Sequence, residues 1–298
     1  MVMVVATSKS GGNGLKITDL KCAVIGGSPV VRITTDEGID GLGQAEWAKP
    51  YLKPHVLFYR DYILGEDPTN VERVMSKIRR MGSFKPWGAS VSAIEVALWD
   101  IAGKAAGLPI HKLLGGACRD RINHFGFLQG DDPEKLAEHA ADLVGNGFSV
   151  LYLKVGRGRE RDVACIKAIR ERVGYDVRFR VDANMAWQVG EAIQELNALA
   201  EYDIDFAEQP VDWQDLDGLA RLRESVPIPI AVDQGCFTDK EAMQVVQKGA
   251  ADVIVAGLHE TGGVLGMKRL ASVANAGGLP VCRHGVMGET GISTLTAL

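Results

Sequence analysis

RFRVDANMAWQVGEAIQELNALAEYDIDFAEQPVDWQDLDGLARLRESVPIPIAVDQG, residues 178–235, contains two periods of a repeat. Three apolar runs, RFRVD, IDFAE and PIAVD, each end on an acid: Asp182, Glu208 and Asp233. The acids stand 26 and 25 residues apart, the length of one strand, one helix and two loops. Strands repeated in this way run parallel, and in a closed barrel their C-terminal ends share one face. Carboxylates that converge on such a face need a cation. The stretch therefore predicts a metal site at the mouth of a barrel. Acids at strand ends also cap helices, but three at this interval point more strongly to a common site.

Working outward, the alternation extends from about residue 120 to the last residue. Strands are expected at 122–128, 150–155, 177–183, 204–208, 229–233, 252–257 and 279–284. Amphipathic helices are expected between them. Pro133–Gly145 carries Leu136, Ala140, Leu143 and Val144 on one stripe, and Thr238 to Glu241 has a capping-box pattern. Equal spacing without a Gly-rich phosphate fingerprint favours a barrel over a doubly wound sheet. Seven strands are expected where such a barrel closes with eight, so the C-terminal end is read as missing. The first part of the chain reads differently. Ile17 to Ile25 and Val30 to Thr35 are β-rich runs separated by Gly26-Gly27-Ser28-Pro29, and DEGIDGLGQAEW (36–47) adds glycine turns and a strand. Residues 50–114 read as helical, with Ile94, Ala97, Leu98, Ile101 and Ala105 on one face of Ser90–Gly107.

Composition narrows the class. A net charge of -5 argues against nucleic acid or an anionic membrane as a partner. No apolar run approaches the roughly 20 residues of a spanning helix. The opening MVMVVATSKSGGNG has no leading basic region and reads as a disordered tail, not a signal peptide. Five cysteines without paired spacing fit reduced thiols in a cytoplasmic protein.

ASVSAIEVALWDIAGKAAGLPIHKLLGG (89–116) resembles the signature of the mandelate racemase/muconate-lactonizing branch of the enolase superfamily. DEGIDGLGQAE, YLKVG, VDANMAW, AEQPV and VDQG also match motifs of that family. The resemblance covers roughly residues 15–298. It implies an α/β fold: an α+β capping domain over 15–118 and a modified (β/α)7β TIM-type barrel over 119–298, after the 1–14 tail. It also implies a small carboxylate substrate, a Mg2+ ion, removal of the proton next to the carboxylate to give an enediolate, and a homo-oligomer.

Carried over residue by residue, Asp182, Glu208 and Asp233 match the metal positions, and Asn184 follows close by. Lys154 matches the second lysine of a Lys-x-Lys pattern, the acid/base, while Tyr152 replaces the first. A base lysine must be neutral, which burial and neighbouring cations favour. On the sixth barrel strand the family position is Gly257, where relatives carry lysine or aspartate. His259 and Glu260 follow in the loop and are within reach of the mouth. His284 aligns with an opposite-face base whose sixth-strand aspartate partner is missing here. Glu289 resembles an acid that positions substrate or partners a base. Trp47 and Tyr51 are candidate substrate contacts from the capping domain. One strong base favours a cycloisomerase or a lyase (dehydratase). A second base at His284 or His259 would make a racemase or epimerase, and an inactive metal- or ligand-binding barrel is the reading from another class.

Overall fold

The structure is a computed structural model that describes residues 14–80, 87–285 and 289–297. The tail expected over 1–14 lies outside the described residues except for its last one. The chain divides into two compact units, one up to Gly116 and one from Ala117.

In the first unit, β1 (Ile17–Ile25), β2 (Ser28–Thr35) and β3 (Asp40–Gln44) form an antiparallel sheet in that order. Helices α1 (Leu52–Phe58), α2 (Arg60–Ile63), α3 (Val71–Arg80), α4 (Gly88–Ala106) and α5 (Ile110–Leu113) follow. Alternation buries Leu20, Cys22, Val31 and Ile33, and a register irregularity between Ile17 and Asp19 brings Ile17 to the same buried face. Strand β3 packs on α4 backbone to backbone. A Cβ at Gly41 would lie 2.0 Å from the Ala97 carbonyl oxygen, and one at Gly43 would lie 1.8 Å from that of Ala93. Glycine is the residue that permits this approach. Helix α4 ends as expected at Gly107, whose φ of 65° suits a left-handed cap.

The second unit alternates β4 (Gly126–Leu128), α6 (Pro133–Gly145), β5 (Val150–Lys154), α7 (Arg159–Val173), β6 (Arg178–Asp182), α8 (Val189–Leu199) and β7 (Ile204–Glu208). It continues with α9 (Leu216–Ser225), β8 (Ile230–Val232), α10 (Asp239–Lys248), β9 (Val253–Ala256), α11 (Val264–Ala276), β10 (Val281–Arg283) and α12 (Gly291–Ala297). The seven strands are parallel and ordered β10-β9-β8-β7-β6-β5-β4. The first begins at Gly126, not at 122, because the charged run before it is exposed and unpaired with the sheet. Helix α6 starts on Asp132, whose side chain accepts from the Lys135 N–H, with Pro133 in the first turn. At α10, Thr238 accepts from the Glu241 N–H, but the Glu241 carboxylate bonds Phe237 N–H at 2.8 Å, one residue before the expected partner.

The sheet curls. Three strands separate β6 from β10, so a flat sheet would hold them roughly 19 Å apart. Yet Arg180 Nη1 lies 3.1 Å from Cys282 Sγ. The outward parity of each strand (Leu151, Leu153, Phe179, Val181, Ile230, Val232, Ile254) joins the main core with the helices. The inward parity carries Tyr152, Arg180, Phe206, Ala231, Val255 and Cys282. Phe206, Ala231 and Val255 form a smaller cluster with Cys282 packed against it, and Arg180 lies over the Phe206 ring at 4.6 Å.

Candidate active site

Register decides where the functional groups go. Lys154 pairs with Asp182, Asp182 with Glu208, and Glu208 with Ala231. Lys154, Asp182 and Glu208 therefore end their strands on one level, with inward parity. Asp233 is two residues past Ala231 and returns to that parity. The three acids are 1%, 3% and 3% exposed.

They are also crowded. Tyr152 donates to Asp182 Oδ2 at 2.5 Å and to Glu208 Oε1 at 3.3 Å. Lys154 Nζ donates to the same Asp182 oxygen at 2.7 Å. Burial, with Asp182 and Asp233 beside it, pushes the Glu208 carboxyl up to about 8. Burial raises Asp233 to about 6, against the pull of His284 and Lys154. Burial and the neighbouring carboxylates push the Tyr152 phenol far above its ordinary range, so it remains a donor. Donor atoms of Glu208, Asp233 and His284 all lie within 4.8 Å of one another. Buried, mutually repelling oxygens of this kind fit a small divalent cation. Mg2+ takes oxygen ligands, so the acids suit it better than the imidazole does.

His284 has a carboxylate partner after all. Glu260 Oε1 lies 3.3 Å from His284 Nδ1, an ion-pair contact without the alignment of a full hydrogen bond. Burial alone would lower the His284 imidazolium, but Glu260, Asp233 and Glu208 outweigh it and raise it to about 9. Burial pushes Glu260 up, and the contact with His284 overrides this and brings it to about 2.

The other expected residues are placed as follows. Asn184 is exposed, with a φ of 48°, and its backbone N–H donates to Asp182 Oδ1 at 2.7 Å, so it shapes the turn that holds Asp182. His259 is 1% exposed and lies 4.0 Å from Glu289. Glu289 pairs with Arg283. Burial lowers His259, favouring the neutral ring. Trp47 is half-buried in the first unit, where its indole donates to the Gly26 carbonyl at 3.2 Å.

Two positioning groups received no role from the sequence, although Gln209 lies within the AEQPV motif. Gln209 links the loops after β7 and β8. Asp162 accepts from the Gly156 and Arg157 N–H groups at 2.7 and 3.1 Å and fixes the loop that follows Lys154. An acid in the first turn of α7 was a faint signal for Asp162.

Comparison with known proteins places this geometry. Residues 27–115 match the description "Mandelate racemase / muconate lactonizing enzyme, N-terminal domain", and residues 135–298 match "Enolase C-terminal domain-like". The chain belongs to the mandelate racemase/muconate lactonizing enzyme family of the enolase superfamily. A hydrophobic dipeptide epimerase of Enterococcus faecalis is 36% identical over 278 residues, 91% of this chain and 77% of that protein. A D-galactarolactone cycloisomerase of Agrobacterium fabrum is 31% identical over 278 residues, 90% of this chain and 73% of that protein. The crystal structure of a dipeptide epimerase from Enterococcus faecalis with Mg and L-Leu-L-Tyr superposes with a TM-score of 0.88 at 31% identity, covering 95% of this chain and 86% of that one. The family is thus an enzyme family whose members run different reactions, and no described helix is long and apolar enough to cross a membrane.

Proposed function

We propose that this member of the family is a Mg2+-dependent epimerase or racemase that moves the proton on the carbon next to a carboxylate of a small acid. One observation carries the reading. Lys154 ends β5 and His284 follows β10, so the two proton-carrying side chains flank the row of acids from opposite sides in the strand order. Inversion at carbon needs a group on each face, one to take the proton and one to give it.

Asp182, Glu208 and Asp233 would hold the ion. When bound, it would supply positive charge to the substrate carboxylate oxygens, where negative charge develops as the proton leaves. Tyr152 orients Asp182 and Glu208 through its shared hydroxyl. Lys154 takes a proton on its side of the substrate carbon, and His284 delivers one on the other. The presence of Glu260 beside His284 shifts the weight from the one-base reaction expected from the sequence to this two-base one. A second reading is favoured by the same ion pair: a cationic His284 is an acid able to protonate a leaving hydroxyl, as a dehydratase requires.

The test is exchange in D2O with MgCl2 on epimeric carboxylates, beginning with L-Leu-L-Tyr and L-Leu-D-Tyr. Deuterium at the carbon next to the carboxylate, with interconversion of the epimers, supports the reading. Loss of water or ring closure without inversion supports the one-base alternative. Stabilisation by Mg2+ with no exchange on any acid leaves a binding barrel.

A further inference from the structure

We infer that Glu260 is the positioning carboxylate of His284, and that the absence of a side chain at Gly257 is what lets it take that place. The assignment rests on the two-base reading above and names how its second base is held.

Alternation on β9 turns Val253 and Val255 inward against Phe206, Ala231 and Cys282. One further step in that parity is Gly257. The His284 N–H donates to the Ala256 carbonyl at 2.8 Å. His284 therefore sits one rung beyond the Arg283–Ala256 pair, next to Gly257. A Cβ at Gly257 would lie 1.9 Å from Glu260 Oε2, 2.7 Å from its carboxyl carbon and 3.2 Å from His284 Nδ1. The Glu260 carboxylate thus fills the space in which a side chain of residue 257 would begin, although the chain carries it three residues later.

The turn after β9 makes this possible. Thr261 N–H and Oγ1 both donate to the Gly257 carbonyl, at 3.1 and 2.7 Å, and the Gly263 N–H donates to Leu258 at 2.9 Å. These bonds fold the chain back so that Glu260 returns over its own strand end. Glu260 Oε2 and His284 Nδ1 are both buried. With Nδ1 facing Glu260, the ring presents Nε2 to the substrate. In one direction the C–H bond forms with the proton of Nε2. In the other that bond breaks and its proton goes to Nε2. Glu260 keeps its charge and fixes the ring throughout. It acts through His284 and does not touch the substrate.

The experiment uses the Mg2+-loaded protein in D2O with pairs of epimers: L-Leu-L-Tyr and L-Leu-D-Tyr first, then N-acyl amino acids and sugar acids. The pair that exchanges fastest is carried forward. Lys154 serves one epimer and His284 the other. Glu260→Gln, nearly isosteric, is expected to cut kcat for exchange of the His284-side epimer by about 10- to 100-fold, the usual cost of losing an orienting partner. The Lys154-side epimer should lose far less. Gly257→Ala should give the same one-sided defect by displacing Glu260. Gly257→Asp combined with Glu260→Ala should restore part of the rate, since it moves the carboxylate onto the strand. Equal losses on both epimers, or a raised KM on both with kcat intact, would overturn the assignment in favour of a packing or substrate-contact role. Absence of exchange in the unmodified protein across all pairs would instead bring down the two-base reading itself, and the assignment with it.

Discussion

The side-chain oxygen of Gln209 accepts a hydrogen bond from the backbone N–H of Asp233 at 2.9 Å. It accepts a second from Gly235 at 3.1 Å, while its amide donates to the Val211 carbonyl at 3.1 Å. Gln209 is fully buried and immediately follows Glu208, so it sets the spacing of two of the proposed metal ligands. Gln209→Leu strands two buried N–H groups, each worth roughly 1–3 kcal/mol. We expect a lower melting temperature and a weaker stabilisation by Mg2+, measured as the shift in melting with added MgCl2. An unchanged Mg2+ response would show that Asp233 is held without it.

Lys154 is the proposed proton carrier on the β5 side. Lys154→Ala in the Mg2+-loaded protein should lower exchange of one epimer by about 10²–10⁴-fold, the usual share of a general base. The side chain is 39% exposed, so folding should survive, as circular dichroism would show. Retained exchange on both epimers would place the proton elsewhere.

Without a metal, the crowded acids make stability depend on pH with a definite sign. Glu208 and Asp233 hold their protons more tightly folded than unfolded, and so does His284. Each contribution is complete at low pH and is lost as pH rises: from 4.5 to about 8 for Glu208, from 3.8 to about 6 for Asp233, and from 6.5 to about 9 for His284. Glu260 acts the other way only at acid pH, between 4.5 and about 2. In a chelating buffer the melting temperature should therefore fall between about pH 5 and about pH 9. MgCl2 should restore most at the alkaline end. A rise across that window without metal would contradict the crowding.

Arg170 is buried and donates to the carbonyls of Tyr202, Gly174, Val177 and Asp203 at 2.7–3.0 Å. It ties the end of α7 to the chain entering β6 and β7, at the opposite end of those strands from Asp182 and Glu208. Arg170→Met leaves those carbonyls without their donor and should cost about 3 kcal/mol, read by urea denaturation. Activity per folded molecule should stay near that of the unmodified protein.

Much of this architecture was legible because parallel strands repeat with helices at a fixed interval. Asp182 and Glu208 could be placed at strand ends from spacing alone, and register then brought them to one level beside Lys154. The limits of such reading are equally specific. Gly257 looked like the loss of a catalytic position, because sequence alignment counts residues and not space. Only the turn through Thr261 shows that Glu260 fills the vacated volume. Asn184 stands close to Asp182 in the sequence, but only the structure shows that its backbone N–H is the part that faces that acid. Gln209 stood inside the AEQPV motif with no role attached, since its bonds go to backbone N–H groups 24 and 26 residues away. The curl, by contrast, was expected from the equal spacing that reads as a barrel, and the meeting of Arg180 with Cys282 bears it out.

The glycine seam between β3 and α4 has a practical outcome for protein engineering. Because carbonyls of the helix press against the strand at Gly41 and Gly43, the two elements behave as a single inherited module. A chimera whose crossover falls between residues 44 and 88 would join a strand from one parent to a helix from another across a gap too narrow for a methyl group. Shuffling of this half should therefore keep both partners from one donor and confine recombination to the turns outside them.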